Sequence, residues 1–443
     1  MDGCLFSKSL CNINALFSGI FFSTIRIYKN SVKAKENNRN STERPISAFA
    51  VPWRNDTNNY FHSGPFICHA IASQEQIITG KTTGNNPYLE YGLGADRLGG
   101  AKMTFLDTGV VLKVTDSTLM NYKVQLSVNH FAYLPKVNFV KDSTIQIKKY
   151  YLAGSMLING DDCHDFVAVS LDERLPYRSI QQISPSRIVV DIFGATSNTN
   201  WITQRTSAKE IKNIYYEQIE DDVYRVIIEL KNQQHWGYSI FYEGKRLVIK
   251  VKLQPAELYL KKLKVAIDAG HGGDNTGAIG KITGMKEKDY NLLIAQELEK
   301  ELKKSHAAVF MTRTKDTSLT MTGRLEMIKQ AEPDFLISIH LNSSSKDSIN
   351  GVSTYYRYIG FRPLSQHIQQ NMLDLGLGDF GNVGGFNFSL SGPTEYPNCL
   401  VEVAFLSNAE DEKKILDPEF RKDVAAKIVE GIKDWLKACR EAD

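Results

Sequence analysis

The hydrophobic pattern of this chain changes near residues 252–262, and that change limits how the chain can fold. Before it, short apolar runs are separated by Gly, Asp, Asn and Pro, without a long helical repeat. After it, strand-like runs alternate with helix-patterned segments. A chain of 443 residues is also too long for one ordinary domain. The sequence therefore predicts a multidomain protein in which all-β domains precede an α/β domain.

Two small all-β domains are predicted ahead of that boundary, over residues 85–142 and 145–253. The first contains short β-rich runs broken by turn residues, as in a small barrel or sandwich. The second contains further strand-like runs such as "VYRVIIELK" (223–231), in which polar and apolar residues partly alternate. One face of that sheet is therefore expected to be solvated. Close strand spacing without a long helix indicates a β-sandwich.

Residues 262–440 are predicted to form an α/β domain with a mixed sheet flanked by helices. Within 289–305, apolar residues recur every four positions, as on one face of a helix. The run "DFLISIHLN" (334–342) is almost continuously apolar, which is typical of a strand covered on both faces. Asp417 and Pro418 supply a cap and a first-turn residue for a final helix.

Residues 1–75 are predicted to be a lead outside the folded domains, with a signal or anchor followed by a disordered segment. The run "INALFSGIFFSTI" (13–25) is as apolar as the centre of a signal peptide and short for a membrane span. Residues 29–62 are polar and lack periodic apolar positions. Export to the cell envelope is therefore an expectation.

Composition excludes several classes of function. The net charge of +3 and the lack of a long basic run give no reason to expect a nucleic-acid partner. The six cysteines form no C-x-x-C pair, which argues against a zinc knuckle or a redox dithiol. Cys399, within an apolar stretch, is predicted to be a small buried hydrophobe.

The stretch "VAIDAGHGG" (265–273) places His271 among glycines at the end of a predicted strand. Such a histidine could belong to a metal site, a phosphate loop or a tight turn. A phosphate loop fits less well, because neither the Walker ending nor G-x-G-x-x-G is present.

Further polar residues fall at or near other strand ends, where ligands bind in open α/β sheets. His340 ends the run "FLISI", Glu402 lies within the last predicted strand, and Glu287 opens the first long helix. Two histidines and one carboxylate make a zinc site with an open position, and the other carboxylate can move protons. A hydrogen-bonded, partly buried side chain explains either histidine alone. Glu402 inside "LVEVAF" is costly to bury without a partner.

Four motifs occur in order along the last domain: "AIDAGHGGDNTGAIG", "KEKDYNL", "LISIHLN" and "LVEVAFLSN". Over about 264–440 the chain thereby resembles the zinc-dependent N-acetylmuramoyl-L-alanine amidases of bacterial cell walls. The resemblance implies that His271, Glu287 and His340 bind Zn²⁺ and that Glu402 is the catalytic glutamate. It also implies hydrolysis of the bond between N-acetylmuramic acid and the L-alanine of the peptidoglycan stem peptide.

The upstream regions resemble domains that accompany such enzymes. Residues 145–253 are similar to the AMIN domain, and residues 85–142, with "LGADRLGGAKM" (93–103), look like an SH3-like barrel. These resemblances imply a periplasmic or cell-envelope location and a role in cell-wall remodelling and cell division. They imply peptidoglycan as a partner, together with envelope or division proteins that the AMIN-like domain would bind.

Some members of this family carry an inhibitory helix after the second histidine. Here only "SSSKDSI" (343–349) lies at that place, which is too short, so a site open without an activator is expected. Two other functions remain as alternatives. One is a catalytically inactive amidase-like protein that binds peptidoglycan or recruits partners. The other is a zinc peptidase that acts on peptides without glycan.

Roles are also predicted for three further features of the sequence. Arg324 in "TGRLEM" is predicted to pair with a strand end. Asp268 either supports the metal histidine through a hydrogen bond or caps a turn. The ligand-type cluster "DDCHD" (161–165) is predicted to be a solvated turn between two strands.

Overall fold

The structure is a computed structural model that describes residues 77–94 and 98–442. The predicted lead over residues 1–75, with its signal or anchor, lies outside the described residues. Residues 95–97, within the motif "LGADRLGGAKM", lie outside them as well. Among the helices that are described, none is both long enough and apolar enough to cross a membrane.

The first β domain, residues 77–141, is a seven-stranded antiparallel sheet with the strand order β3-β2-β6-β5-β4-β1-β7. It begins ahead of the predicted boundary at residue 85. Alternate residues of its strands point into a buried core that includes Leu89, Val114 and Leu134. The strands are β1 (Ile78–Thr82), β2 (Tyr88–Glu90), β3 (Lys102–Phe105), β4 (Val111–Ser117), β5 (Asn121–Gln125), β6 (Phe131–Pro135) and β7 (Phe139–Lys141).

The second β domain, residues 151–252, contains two sheets whose inner faces share one core, as predicted for a sandwich. The strand order is β10-β11-β15-β14 in one sheet and β12-β8-β9-β17-β16 in the other, where β13 also pairs with β8. The strands are β8 (Tyr151–Gly160), β9 (His164–Leu171), β10 (Tyr177–Ile183), β11 (Ser186–Phe193), β12 (Ala195–Ser197), β13 (Ile202–Gln204), β14 (Ile211–Glu220), β15 (Val223–Leu230), β16 (Tyr238–Glu243) and β17 (Arg246–Lys252).

The two β domains do not have separate cores. One cluster of buried apolar side chains runs from Leu89 and Leu134 in the first domain to Val167 and Val190 in the second. Since separating the two domains would expose part of this apolar surface to water, the contact stabilises both of them.

The α/β domain, residues 264–442, contains a six-stranded mixed sheet with the order β19-β18-β20-β23-β21-β22, which confirms the predicted class. Strands β18, β20 and β23 are parallel neighbours, whereas β21 runs antiparallel to β23. The strands are β18 (Lys264–Ala269), β19 (Ala308–Met311), β20 (Phe335–Asn342), β21 (Val352–Tyr355), β22 (Asp379–Val383) and β23 (Asn398–Phe405). The helices are α1 (Glu287–Lys304), α2 (Met321–Ala331), α3 (Arg362–Leu373), α4 (Ala409–Leu416) and α5 (Pro418–Ala442).

The helices cover the sheet with the apolar faces that the sequence predicts. In α1, Ile294, Leu298 and Leu302 are fully buried in the core of this domain. Helix α5 begins at Pro418, and the Asp417 carboxylate accepts the N–H of Glu419 (2.9 Å) as a cap does.

The second β domain is packed against the α/β domain through the residues that precede β16. Trp236 contacts Trp435 of α5, with ring centroids 5.1 Å apart and the rings tilted by 37°. The indole N–H of Trp435 donates to the side chain of Gln234 (2.9 Å). The Gln234 amide in turn donates to the carbonyl of Gly360 (2.8 Å). The predicted boundary at 252–262 therefore separates two folds that remain in close contact.

A buried carboxylate pair joins two strands of the second β domain. Asp165 accepts the backbone N–H groups of Lys209, Glu210 and Ile211 (2.7–2.9 Å). The carboxylate of Glu210, 4% exposed, accepts two hydrogen bonds from Asn232. Burial raises the pKa of Glu210 to about 7, although the Asn232 hydrogen bonds lower it.

Because the pKa of Glu210 lies above its ordinary 4.5, the folded protein holds a proton that the unfolded chain has released between these two values. The free energy of unfolding should therefore fall as the pH rises from 4.5 toward 7, by up to about 3 kcal/mol. Glu210→Gln removes this titration and should flatten that part of the profile. Urea unfolding of both proteins from pH 4.5 to 8 measures the effect, and identical pH profiles would contradict the prediction.

Candidate metal centre

The loop after β18 carries His271 on backbone that glycine makes accessible. His271 itself has a left-handed conformation, with φ of 62°. A side chain at Gly270 would collide with the ring of His340, and one at Gly277 would collide with both Glu287 and His271. The glycines around His271 thus allow three polar side chains to approach one point.

Glu287, the first residue of α1, is held at that point by the same loop. Its Oε2 accepts the N–H of Ala278 (2.7 Å), and its own N–H donates to the Ala278 carbonyl (2.9 Å). Its Oε1 accepts the N–H of Leu341 (3.2 Å) and the amide of Asn291 (3.1 Å), one helical turn further along. The carboxylate is 4% exposed and is fully oriented by neutral donors.

The two predicted histidines meet this carboxylate. Oε1 of Glu287 lies 3.1 Å from Nε2 of His271 and 3.0 Å from Nδ1 of His340. One ligand atom from each of the three residues lies within 4.8 Å of the other two. Among residues 77–94 and 98–442, no other set of three histidine, cysteine or carboxylate side chains places its ligand atoms this close together. The three residues therefore form a group that could hold a metal ion.

Asn275 orients the ring of His271. Its Oδ1 lies 2.9 Å from His271 Nδ1 and also accepts the N–H of Gly277 (3.1 Å). An acceptor at Nδ1 keeps a proton on that nitrogen, so that Nε2 is the ring nitrogen directed at Glu287 and is the one that a metal ion would bind in place of a proton.

The charges of the group depend on one another. Burial disfavours the charged form of His271, yet the Glu287 carboxylate outweighs burial and holds the pKa of this imidazole above its usual range. Burial likewise disfavours ionised Glu287, yet the hydrogen bonds of both histidines hold the pKa of its carboxyl well below the usual range. The Glu287 carboxylate is thus kept ionised although it is almost completely buried. A buried negative charge of this kind favours the binding of a cation.

Glu402 lies beside this group, on the next strand. It is the register partner of His340 on the parallel strand β23, so both side chains are on the same face of the sheet. Glu402 is 8% exposed and is outside the three-residue group. The nearby phenol of Tyr355 lies 3.3 Å from Ser353 Oγ, and burial, aided by the charge of Glu402, raises the pKa of Tyr355 to about 12.

Behind the loop that carries His271 lies a buried ion pair, which confirms the structural role predicted for Arg324. The Asp268 carboxylate, 1% exposed, accepts from Arg324 Nη1 (2.6 Å), Thr312 (2.7 Å) and Ser338 (3.0 Å). Arg324 also donates to the carbonyl of Ala269 (2.9 Å) and to that of His271. Of the two roles considered for Asp268, the structure favours indirect support of His271.

Three residues of the site were not predicted from the sequence: Asn275, Asn291 and Arg313. Arg313 is buried and donates to the carbonyls of Ala269, Gly270 and Lys288 (2.7–2.9 Å). Two signals were available: Asn291 stands four residues after Glu287, on the same helical face, and Arg313 ends the strand-like run "AVFMTR".

The remaining candidates are elsewhere. In the cluster at 161–165, only residues 161–163 form the predicted turn between β8 and β9, in which Asp161 accepts the N–H groups of Cys163 and His164 (2.7 Å each). The prediction of a solvated turn was wrong for Asp165, which belongs to β9 and is fully buried, because its carboxylate accepts backbone N–H groups of residues 209–211. Cys399 is buried, as predicted. Residues 343–349 contain no helix, in agreement with the expected absence of an inhibitory helix there.

Two parts of the chain match known families. Residues 265–434 match the family described as N-acetylmuramoyl-L-alanine amidase, Amidase_3, and residues 158–251 match the AMIN domain. The first match contains His271, Glu287, His340 and Glu402.

Individual proteins match the same region. N-acetylmuramoyl-L-alanine amidase LytC of Bacillus subtilis is 33% identical, over 39% of this chain and 35% of LytC. The uncharacterized protein YqiI of B. subtilis is 34% identical, over 39% of this chain and 84% of YqiI. The catalytic domain of the amidase CwlV from Bacillus (Paenibacillus) polymyxa var. colistinus is 34% identical, over 40% of this chain and 98% of that chain, with a TM-score of 0.38. The chain thus spans about a third of the length of LytC and most of YqiI.

Replacing Arg324 with Met should destabilise the α/β domain by about 3–5 kcal/mol, because the Asp268 carboxylate is then buried without a countercharge. The double variant Arg324→Met/Asp268→Asn should recover part of this loss, since no buried charge remains. Urea unfolding of the three proteins measures both effects.

Arg246→Met is the matched control, because Arg246 pairs with Glu243 at an exposed position. It should leave the free energy of unfolding nearly unchanged. An equal loss for Arg246→Met and Arg324→Met would contradict the prediction.

Proposed function

Because the chain belongs to the N-acetylmuramoyl-L-alanine amidase family, we propose that it is a zinc-dependent peptidoglycan hydrolase. The bond it cuts joins the lactoyl group of N-acetylmuramic acid to the L-alanine of the stem peptide. The observation that carries this proposal is the convergence of His271, Glu287 and His340 at the carboxyl ends of β18 and β20, with Glu402 on the neighbouring strand.

The three convergent side chains fit a zinc ion. Two imidazole nitrogens and one carboxylate oxygen are a donor set that catalytic zinc sites use, and three protein ligands leave a position for water or substrate. The Glu287 oxygen already faces both nitrogens, and Asn275 and Asn291 orient two of the three ligands. His271, Glu287 and His340 would therefore hold the ion with little rearrangement.

A zinc ion held by these three residues would supply Lewis-acid chemistry, since it would polarise the scissile carbonyl and lower the pKa of a water molecule. Glu402 takes a proton from the attacking water while the water oxygen bonds to the lactoyl carbonyl carbon. When the carbon–nitrogen bond breaks, Glu402 delivers that proton to the departing amine of L-alanine. Tyr355 stays a neutral phenol near Glu402, because burial raises its pKa to about 12.

The upstream regions have a proposed role in localisation. The AMIN match at 158–251 supports an AMIN-like domain over 145–253 that binds peptidoglycan and envelope or division proteins. The region 85–142 is proposed to be SH3-like, and 262–440 to be the catalytic unit. A cell-envelope or periplasmic location follows from this domain set.

Zinc-loaded protein should release stem peptides that begin with L-alanine from purified sacculi, without an added activator. Glu402→Gln should retain zinc and lose at least about 100-fold in turnover, because it cannot carry the proton. Mass spectrometry of the released products and metal analysis of both proteins are the measurements.

Each other outcome has a definite meaning. Zinc-loaded wild-type protein that releases nothing would overturn the activator-free hydrolase. Cleavage of free peptides with intact sacculi would indicate a peptidase instead.

His271→Ala should lose both zinc and turnover, because it removes a proposed ligand. After dialysis, the zinc content of His271→Ala should be far below that of Glu402→Gln. Inductively coupled plasma mass spectrometry measures both values. Asn129→Ala, at an exposed position of the first β domain, is the control and should keep both. Full zinc retention by His271→Ala would refute the assignment of this ligand.

A further inference from the structure

Two phenylalanines lie beside the metal centre, on the loop between β22 and β23. The ring of Phe388 is nearly parallel to that of His340, with centroids 6.2 Å apart and an interplanar angle of 14°. Phe386 meets Phe388 edge to face (4.3 Å) and contacts Tyr355 (4.5 Å). Both phenylalanines are half-buried, so each keeps apolar surface for a ligand. We call Phe386 and Phe388 the aromatic rim.

The residue between them faces the first β domain. Asn387 Nδ2 donates to the carbonyl of Gly100 (2.9 Å) and, at a longer distance, to that of Leu98 (3.4 Å). Its Oδ1 accepts the N–H of Lys102 (3.3 Å). The Asn387 side chain thus links the loop between β22 and β23 to three backbone groups of the first β domain.

Arg357 reinforces this connection. Its Nη1 donates to Asn387 Oδ1 (3.2 Å), and its Nη2 donates to the carbonyl of Lys102. Further along the loop, an added Cβ at Gly392 would lie 3.2 Å from the ring of Phe105. The first β domain therefore contacts the loop that carries the aromatic rim at two places.

The same loop is also paired with the second β domain. The N–H of Tyr238 donates to the Thr394 carbonyl (2.8 Å), and the Thr394 hydroxyl donates to the Tyr238 carbonyl (2.7 Å). At the other end of the loop, Gly384 and Gly385 are exposed, and Gly385 has φ of +70°. Glycine lowers the intrinsic stiffness of the backbone there, so the position of the rim depends on its contacts. These are the contacts from the β domains and, within the α/β domain, the hydrogen bond from the N–H of Phe386 to the Tyr356 carbonyl (3.2 Å).

We propose that the aromatic rim contacts the muramyl sugar and the adjoining L-alanine, and that Asn387 is a positioning residue that fixes the rim against the first β domain. This proposal rests on the proposed amidase function. A pyranose ring, a lactoyl methyl and an alanine methyl all present C–H surfaces, which aromatic rings cover favourably. Holding the rim in place before the substrate arrives reduces the conformational entropy lost on binding. The first β domain would thereby be a part of the active site.

Kinetics on dye-labelled sacculi test the proposal with the full-length, zinc-loaded protein. Asn387→Ala should raise the apparent KM about tenfold and change kcat less than about twofold, because pre-organisation acts on binding. Phe388→Leu, which keeps an apolar side chain and loses the ring, should change KM in the same direction. Zinc content and the unfolding midpoint should be unchanged in both variants.

Lys252→Ala is the matched control for loss of an interdomain contact. Lys252 of the second β domain donates to the Pro333 carbonyl (3.0 Å) and to Asp334 (2.9 Å). Asp334 precedes β20, at the end of that strand opposite to His340. This variant removes an interdomain contact away from the rim and should leave KM unchanged.

A binding measurement separates this proposal from the proposed function. In the Glu402→Gln background, calorimetry with a purified disaccharide–tetrapeptide gives a Kd that does not depend on turnover. Asn387→Ala should weaken that Kd about tenfold. Asn387→Ala/Arg357→Ala should weaken the Kd by less than the product of the two single effects, because the two side chains are hydrogen-bonded to each other and hold the same loop.

The outcomes are distinct. If the wild-type protein releases no L-alanine peptides, the proposed function fails, while the Kd comparison still tests the rim. Unchanged KM and Kd in Asn387→Ala and Phe388→Leu would overturn the proposal. A fall in kcat together with loss of zinc or of stability would also overturn it, because Asn387 would then act only in folding.

Discussion

The parallel pairing of β18, β20 and β23 is the constraint on which the site depends. Because these strands are neighbours with the same direction, the residues at their carboxyl ends meet at one edge of the sheet. His271 follows β18, His340 lies near the end of β20, and Glu402 is the register partner of His340. Glu287 joins them from the start of α1, since the glycine-containing loop after β18 leads directly into that helix.

Buried ion pairs and hydrogen bonds hold the side chains at this edge of the sheet in place. The Asp268–Arg324 pair is buried behind the loop, and Arg324 also donates to the carbonyl of His271. Glu287 is buried and ionised because two imidazoles and three neutral donors surround it. Each of these two carboxylates would be unfavourable alone, and most of the partners that stabilise it come from other elements. The site is thus oriented before any ligand arrives.

Much of this could be predicted from the sequence, because the signals are local. The glycines beside His271, the four-residue periodicity of α1 and the cap at Asp417 each act within a few neighbouring residues. Strand β22 was not predicted, because Gly381 and Asn382 in "DFGNV" are poor strand formers and only pairing with β21 places them in the sheet. Arg313 was missed for a related reason, since its partners are backbone carbonyls brought close by folding. Asn275 bonds the nearby His271 ring and Gly277 N–H, but the loop conformation that brings these groups together is not visible in the sequence.

The sequence by itself determined the two kinds of fold, the order of the domains and the side chains available for a metal site. These follow from hydrophobic period and residue type, which are properties of short segments. Only the tertiary structure decided that the β domains share one core and that Asn387 reaches the backbone of Gly100 and Lys102. Contacts between residues almost 300 positions apart depend on how whole domains pack. A local sequence pattern does not predict that packing, because the packing depends on the shape and polarity of both domain surfaces together.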